Sequence, residues 1–176
     1  MKKLMLSTAI LVGLTVPVYA EFYNKSIGDW VIFGYDGREL NKACILEKSW
    51  EDGSRFHLIK DLTDGELFIW INNLSWDIKQ KDSNIYDGAT MIIESESGEL
   101  FTFETKFALI NNNTIAIPNL KPTEFVPPFI TLTKLRIVIP GFIDEMEIPL
   151  DNAFLAVTVL GECIKIGIQQ PQGEPI

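Results

Sequence analysis

Residues 89–106 read ATMIIESESGELFTFETK. Two runs flank Ser97-Gly98. The first, Ala89 to Glu94, is apolar at its centre; the second, Glu99 to Lys106, alternates, with Phe101, Phe103 and Thr105 facing one way and Thr102, Glu104 and Lys106 the other. Period-two alternation belongs to a strand with one buried face, and Ser-Gly supplies the positive φ that a tight reversal needs. The stretch predicts an antiparallel hairpin.

The same pattern runs outward in both directions. Asp36-Gly37, Asp52-Gly53, Asp64-Gly65 and Asp87-Gly88 read as turns, and the runs between them read as strands: Trp30 to Tyr35, Ala43 to Trp50, Arg55 to Leu62 and Glu66 to Ile71. Leu135 to Ile139 and Phe142 to Ile148 flank Pro140-Gly141 as two more, and Asn111-Asn112-Asn113 reads as a polar turn. Short strands about ten residues apart predict a mainly β fold, an antiparallel β-sandwich or barrel-like domain.

Two helices are expected. Phe125, Val126, Phe129 and Ile130 have helical spacing within Thr123 to Thr133, but Pro127-Pro128 interrupts them, so this short Pro-containing helix should manage two turns at most. Asp151 can cap a C-terminal helix from Asn152 to about Gly161, with Ala153, Phe154, Val157 and Leu160 on one face and Cys163 just past its end. The polar tail from Gly167 to Ile176 is expected to be disordered.

The first twenty residues follow a different logic. Met1-Lys2-Lys3 is positive, Leu4 to Val18 is mainly apolar, and Val18-Tyr19-Ala20 ends on a small residue before Glu21. These are the three parts of a secretory signal peptide, expected to be cleaved after Ala20. The apolar run is shorter than the roughly 20 residues a spanning helix needs. Residues 21–166 then form one β-rich domain and 167–176 its tail.

Charge and cysteine content narrow the partners and the compartment. The full chain carries −9, and removing residues 1–20 takes away two lysines and no acid, so the mature domain is more acidic still. That argues against nucleic acid, whose recognition needs a basic face, and against anionic membrane surfaces. No later segment is apolar for long enough to span a bilayer. Cys44 and Cys163 are the only cysteines. In an oxidising compartment an even count suggests a disulfide; two buried free thiols or one catalytic thiol are the alternatives.

No catalytic residue, metal or cofactor is assigned. His57 is the only histidine; Ser49, Ser54 and Asp52 are near it in sequence, but none carries a nucleophile-elbow pattern. Asp61, Asp64 and Glu66 crowd one turn without the spacing of a calcium loop. The acids around Ser97-Gly98 (Glu94, Glu96, Glu99) and the Asp144, Glu145 and Glu147 group read as solvated faces before they read as metal ligands or glycosidase carboxylates. Of the four tryptophans, Trp50 and Trp76 lie next to turns and are the candidate binding residues; the others are expected in the core.

Gly28-Asp29-Trp30-Val31, Cys44, Trp50-Glu51-Asp52-Gly53-Ser54, Leu74-Ser75-Trp76, Tyr86-Asp87-Gly88 and a C-terminal helix ending at Cys163 together resemble small exported bacterial proteins of the invasion-associated locus B type. The resemblance spans about Gly28 to Cys163; the Pro127-Pro128 helix and the polar tail depart from it. It implies a periplasmic or secreted β-sandwich-like domain with a supporting helix, loosely associated with host contact, and it brings no catalytic residues. The expected function is a non-enzymatic interaction domain of the bacterial envelope with an unknown protein or small ligand as partner. The alternatives are a small-ligand or glycan binder using exposed tryptophans, and a hydrolase using His57 or surface carboxylates.

Overall fold

The computed structural model describes residues 20–36, 42–76, 85–95, 97–98, 100–139 and 143–169. The expected signal peptide up to residue 19, the Asp36-Gly37 turn beyond Asp36, the Pro140-Gly141 turn and the tail from residue 170 lie outside them. Among the described residues ten strands follow one another: β1 (Ala20–Ile27), β2 (Trp30–Asp36), β3 (Ala43–Ser49), β4 (Arg55–Asp61), β5 (Leu67–Asn72), β6 (Ile85–Glu94), β7 (Leu100–Asn111), β8 (Thr114–Ile117), β9 (Lys134–Ile139) and β10 (Ile143–Pro149). Helix α1 (Pro122–Thr131) lies between β8 and β9, and α2 (Ala153–Gln169) follows β10. The strands form one antiparallel sheet in the order β1-β2-β3-β4-β5-β8-β7-β6-β9-β10.

The sheet is strongly curled. Strands β3 and β10 are seven places apart, about 34 Å on a flat sheet, yet Lys48 Nζ on β3 donates a 3.0 Å hydrogen bond to the carbonyl of Pro149 at the end of β10. Curling makes the fold sandwich-like, with the inner faces of both halves meeting in a single core. The barrel alternative does not hold, because β1 and β10 are the ends of the pairing order and the sheet stays open. Helix α2 packs on β1, β2 and β3 along one edge.

Helix α1 fills the hollow. Its Phe125 and Phe129 stack at 5.3 Å; Phe129 meets Trp30 of β2 at 6.1 Å and Phe56 of β4 at 6.2 Å, and Phe125 meets Phe103 of β7 at 6.0 Å. This aromatic chain bridges the two halves of the sheet and explains a departure from expectation. Helix α1 runs for ten residues through Pro127 and Pro128, longer than the two turns anticipated. Pro122 sits in the first turn, where a missing N–H costs nothing. The two internal prolines leave carbonyls without helical donors, and burial of Phe125, Pro128 and Phe129 outweighs that loss.

Other boundaries also moved. Strands β1 and β8 were not expected. The first carries a bulge between Glu21 and Tyr23 that blurs its alternation, and the second is only four residues long. Asp87-Gly88 does not turn the chain. Gly88, at φ +96°, is an extra residue within β6 where the register with β7 shifts, so it forms a bulge, for which a positive-φ glycine is equally suited. The Asp52-Gly53, Asp64-Gly65 and Ser97-Gly98 turns stand where expected.

Helix α2 starts at Ala153 and continues to Gln169, so Cys163 lies within it and the first residues of the expected tail are helical. Asn152 adopts φ +61°, and the carbonyl of Asp151 accepts the indole N–H of Trp30 at 2.7 Å. The helix outlasts its poor propensity because Ala153, Ala156, Leu160, Cys163 and Gly167 make one buried stripe. It approaches β1 and β2 closely: a Cβ on Gly34 would meet the Phe22 ring and Cys163 Sγ, and one on Gly167 would meet Leu62 and Phe22. Glu162 accepts from Lys25 Nζ at 2.7 Å and from the Tyr23 hydroxyl at 3.0 Å. Burial and the neighbouring Glu162 carboxylate push the Tyr23 hydroxyl above its ordinary value, and the Lys25 bond holds Glu162 below its own.

Lys48 fixes the corner where β10 turns into α2. Its buried ammonium lies 5.1 Å from the Trp30 ring centroid as well as on the Pro149 carbonyl. Lys48→Met keeps the aliphatic stem and removes the donor. It should lower unfolding free energy by about 1–2 kcal/mol, the worth of a hydrogen bond from a charged group with some relief of its burial cost. Urea denaturation at neutral pH measures this.

Candidate functional site

A sheet curled round its core normally presents polar side chains outward. Half of this one does. On the outer faces of β6, β9 and β10, Arg136 pairs with Glu94 (3.2 Å) and Glu145 (3.7 Å), and Lys134 pairs with Glu147 (3.0 Å); the Thr90 hydroxyl donates to Glu104 of β7. Of the acids weighed as metal ligands on the sequence, Glu94, Glu145 and Glu147 are thus engaged with cations; Glu96, Glu99 and the side chain of Asp144 lie outside the described residues.

The outer face of β2–β5 differs. A second apolar cluster, separate from the core, centres on Ala43, Ile45 and Ile59 and is rimmed by half-buried Phe33, Tyr35, Phe68 and Trp70. The register lays these out in rows across four strands. Phe33, Ile45, Ile59 and Phe68 make one row; Val31, Glu47, His57 and Trp70 make the next. Beyond it lies a polar row of Ser49, Arg55 and Asn72, and on the other side Tyr35, Ala43 and Asp61. The pairings β2–β3, β3–β4 and β4–β5 run without a bulge, so this part of the sheet is regularly pleated.

Within that face, His57 Nε2 donates a 2.8 Å hydrogen bond to Glu47 Oε2, both side chains being about five-sixths buried. The bond from His57 holds the Glu47 carboxyl below the usual carboxylate range, against the opposing effect of burial. A carboxylate whose folded value is depressed stabilises the fold above its unfolded pKa, and loses that stabilisation as pH falls through the folded value. Glu47→Gln should therefore flatten the acid limb of the stability curve below about pH 4.5. Urea midpoints measured between about pH 7 and pH 3 test this.

The pair is an imidazole oriented by a carboxylate, two parts of a nucleophilic triad. Among the described residues the third part is not beside it: the sheet neighbours of His57 are Glu47 and Trp70 across the strands, with Arg55 and Ile59 along its own. Ser54 is buried in the β3–β4 turn, where its amide donates to Asp52 Oδ1. The Asp61–Glu66 turn uses its acids on backbone too: Asp61 Oδ1 accepts from the amide of Thr63 and Asp64 Oδ1 from that of Glu66. Among the described residues, no three His, Cys, Asp or Glu side chains stand together to hold a metal ion.

Trp50 and Trp76 are half-buried and packed against the main core. The segments bearing them lie side by side, since a Cβ on Gly53 would meet the side chain of exposed Leu74. Trp70, expected in the core, lies on the outer face instead, because its neighbours Ile69 and Ile71 take the core positions of β5. Its ring is tilted 53° to that of Phe68 at 5.9 Å, so the two make no coplanar platform for a sugar ring. The signal for this face was present: Trp30–Tyr35, Ala43–Leu46 and Leu67–Ile71 are nearly continuous apolar runs, which belong to strands covered on both faces.

Cys44 of β3 and Cys163 of α2 form a disulfide, both residues fully buried and their Cα atoms 6.0 Å apart. The fold and the face together define a mainly β protein of one open, curled antiparallel sheet with a disulfide-held C-terminal helix and an apolar outer patch. No family model, curated protein or solved structure matches the chain. Among the described residues, no helix is long and apolar enough to cross a membrane.

Proposed function

We propose that this protein is an exported, non-enzymatic interaction domain of the bacterial envelope that docks on a protein partner through the outer face of β2–β5. The observation that carries the reading is the contrast within one sheet. The β6–β9–β10 half faces outward with ion pairs, whereas the β2–β5 half faces outward with an apolar centre and a polar rim. That is the anatomy of an interface. Export rests on the signal-like residues 1–20, on the buried Cys44–Cys163 disulfide, which persists in oxidising compartments, and on the resemblance to the invasion-associated locus B type.

Comparative capture from envelope extract tests the reading. The double variant Phe68→Arg/Trp70→Arg should lose whatever the wild type retains, while Glu104→Lys on the opposite half should keep it. If all three proteins retain the same set, or none retains anything, the β2–β5 face is not an interaction surface. N-terminal sequencing of the exported protein checks the compartment separately, with Glu21 as the expected first residue.

A further inference from the structure

We infer that the β2–β5 face is gated by pH: the Glu47–His57 pair beside its apolar centre admits an uncharged apolar partner surface when the pair is neutral overall, and opposes it when the pair carries a net charge. The inference rests on the interaction reading above and adds what regulates that surface. Its ground is where the pair sits. Glu47 and His57 face each other across β3 and β4 in the row next to Ile45 and Ile59, and Val31 of β2 and Trp70 of β5 complete that row. Ala43, Ile45 and Ile59 are already shielded by their own chain. What a partner newly covers is therefore the half-buried rim of Phe33, Phe68 and Trp70, together with the sixth or so of the pair that water still reaches.

The gate follows from counting charge. The 2.8 Å bond from His57 Nε2 to Glu47 Oε2 ties the two groups together, so they gain and lose protons as a unit. A carboxylate beside a neutral imidazole is a net negative charge. One added proton makes the pair neutral overall, on whichever partner it sits, and a second makes it a net positive charge. Removing the remaining water costs more for a net charge than for a neutral pair. Docking therefore favours the form with one added proton. At pH values where the pair has lost that proton, docking must draw it back in and weakens as pH rises. Where the pair has gained the second, docking must expel it and weakens as pH falls. Neighbouring groups leave this order intact. Arg55, two places along β4, favours the Glu47 carboxylate, as the His57 bond does. The pair's neighbours on β2 and β5, Val31 and Trp70, do not titrate, and Asp61 stands beyond Ile59 with its carboxylate on the amide of Thr63. A histidine ordinarily changes charge between about pH 5 and pH 8. His57 is the only histidine and both cysteines are bonded, so in that window the pair is the side-chain site whose charge changes.

Retention of the exported protein on phenyl-agarose, an uncharged apolar probe, tests the gate at constant salt and at about pH 6 and about pH 8.5. The double variant Phe68→Arg/Trp70→Arg defines the share of retention that belongs to the face. In the wild type that share should fall at least about threefold from the lower pH to the higher. In His57→Gln it should be low at both, because the carboxylate stays charged throughout. In Glu47→Gln the order should reverse, since the imidazole left behind is neutral at the higher pH and cationic at the lower. A pair that only held the strands together would not reverse the sign. Thermal melts at both pH values confirm that each protein is folded, and the wild-type slope is decisive even if a variant is not. Retention that depends on Phe68 and Trp70 but is flat with pH, or that falls alike in wild type and Glu47→Gln, overturns the gate and leaves the interaction reading standing. Retention indifferent to Phe68 and Trp70 at both pH values removes the surface, and the gate with it.

Discussion

Replacing Cys44 and Cys163 together with alanine should lower the unfolding free energy by about 5 kcal/mol, the largest loss expected from any change in this protein. The bond closes a loop spanning a sequence separation of 119, and chain entropy in the unfolded state scales with the logarithm of that loop. The geometry raises the stakes. Helix α2 follows β10, at one end of the strand order, yet packs on β1, β2 and β3 at the other, so the disulfide holds its chain against an edge that it reaches only by tertiary contact. Gly34 sits opposite Cys44 on β2 and leaves room for Cys163 Sγ, so the bond lies in a site shaped for it. Alanine is the appropriate replacement because both positions are fully buried and a serine hydroxyl would add an unpaired polar group there. Urea denaturation of the two proteins measures the loss; with a slope of roughly 2 kcal/mol per molar, the midpoint should fall by about 2–3 M. A shift below about 0.5 M would mean that the unfolded chain is held compact by something other than the bond.

Trp30→Ala should cost about 4 kcal/mol, in the range for truncating a fully buried tryptophan. Trp30 has no exposed surface, and four contacts converge on it: the Phe56 ring at 6.1 Å, the Phe129 ring at 6.1 Å, the Lys48 ammonium over its face, and the Asp151 carbonyl on its indole N–H. It therefore ties β2, β4, α1 and the corner before α2 to one another. Trp30→Phe separates the terms. It keeps most of the apolar volume and loses the indole donor, leaving the Asp151 carbonyl without its partner, for an expected cost of about 1–2 kcal/mol. Trp50→Ala and Trp76→Ala are the controls, since both residues are only half-buried, and each should cost less than Trp30→Ala. Denaturation curves of the four variants decide the order; a Trp50 or Trp76 loss equal to that of Trp30 would remove Trp30 from the centre of the core.

Much of the architecture was legible in the chain. Alternation in Phe101–Lys106 and the Ser97-Gly98 turn gave the β6–β7 hairpin, and Asp52-Gly53 and Asp64-Gly65 placed the β3–β4 and β4–β5 reversals, because these features depend on period two and on positive φ, which are local properties. The two cysteines in a chain with an export-like start pointed to the bond that Cys44 and Cys163 form. Where local signals failed, tertiary packing had overruled them. Pro127 and Pro128 stay within a helix because the rings on either side fill the hollow of the sheet. Gly88 bulges a strand instead of ending it, since a positive φ satisfies both.

The sequence by itself determined the strand-rich composition, the turns at Asp52-Gly53, Asp64-Gly65 and Ser97-Gly98, the acidic balance and the paired cysteines. Each is fixed by the type of a residue and its near neighbours. Only the tertiary structure decided which apolar side chains face the core and which face outward. In Leu67–Ile71 both faces are apolar, so no period in the chain separates Ile69, in the core, from Trp70, outside it. The meeting of Glu47 with His57 was likewise undetermined, because antiparallel register across a turn, and not sequence spacing, sets that pair side by side.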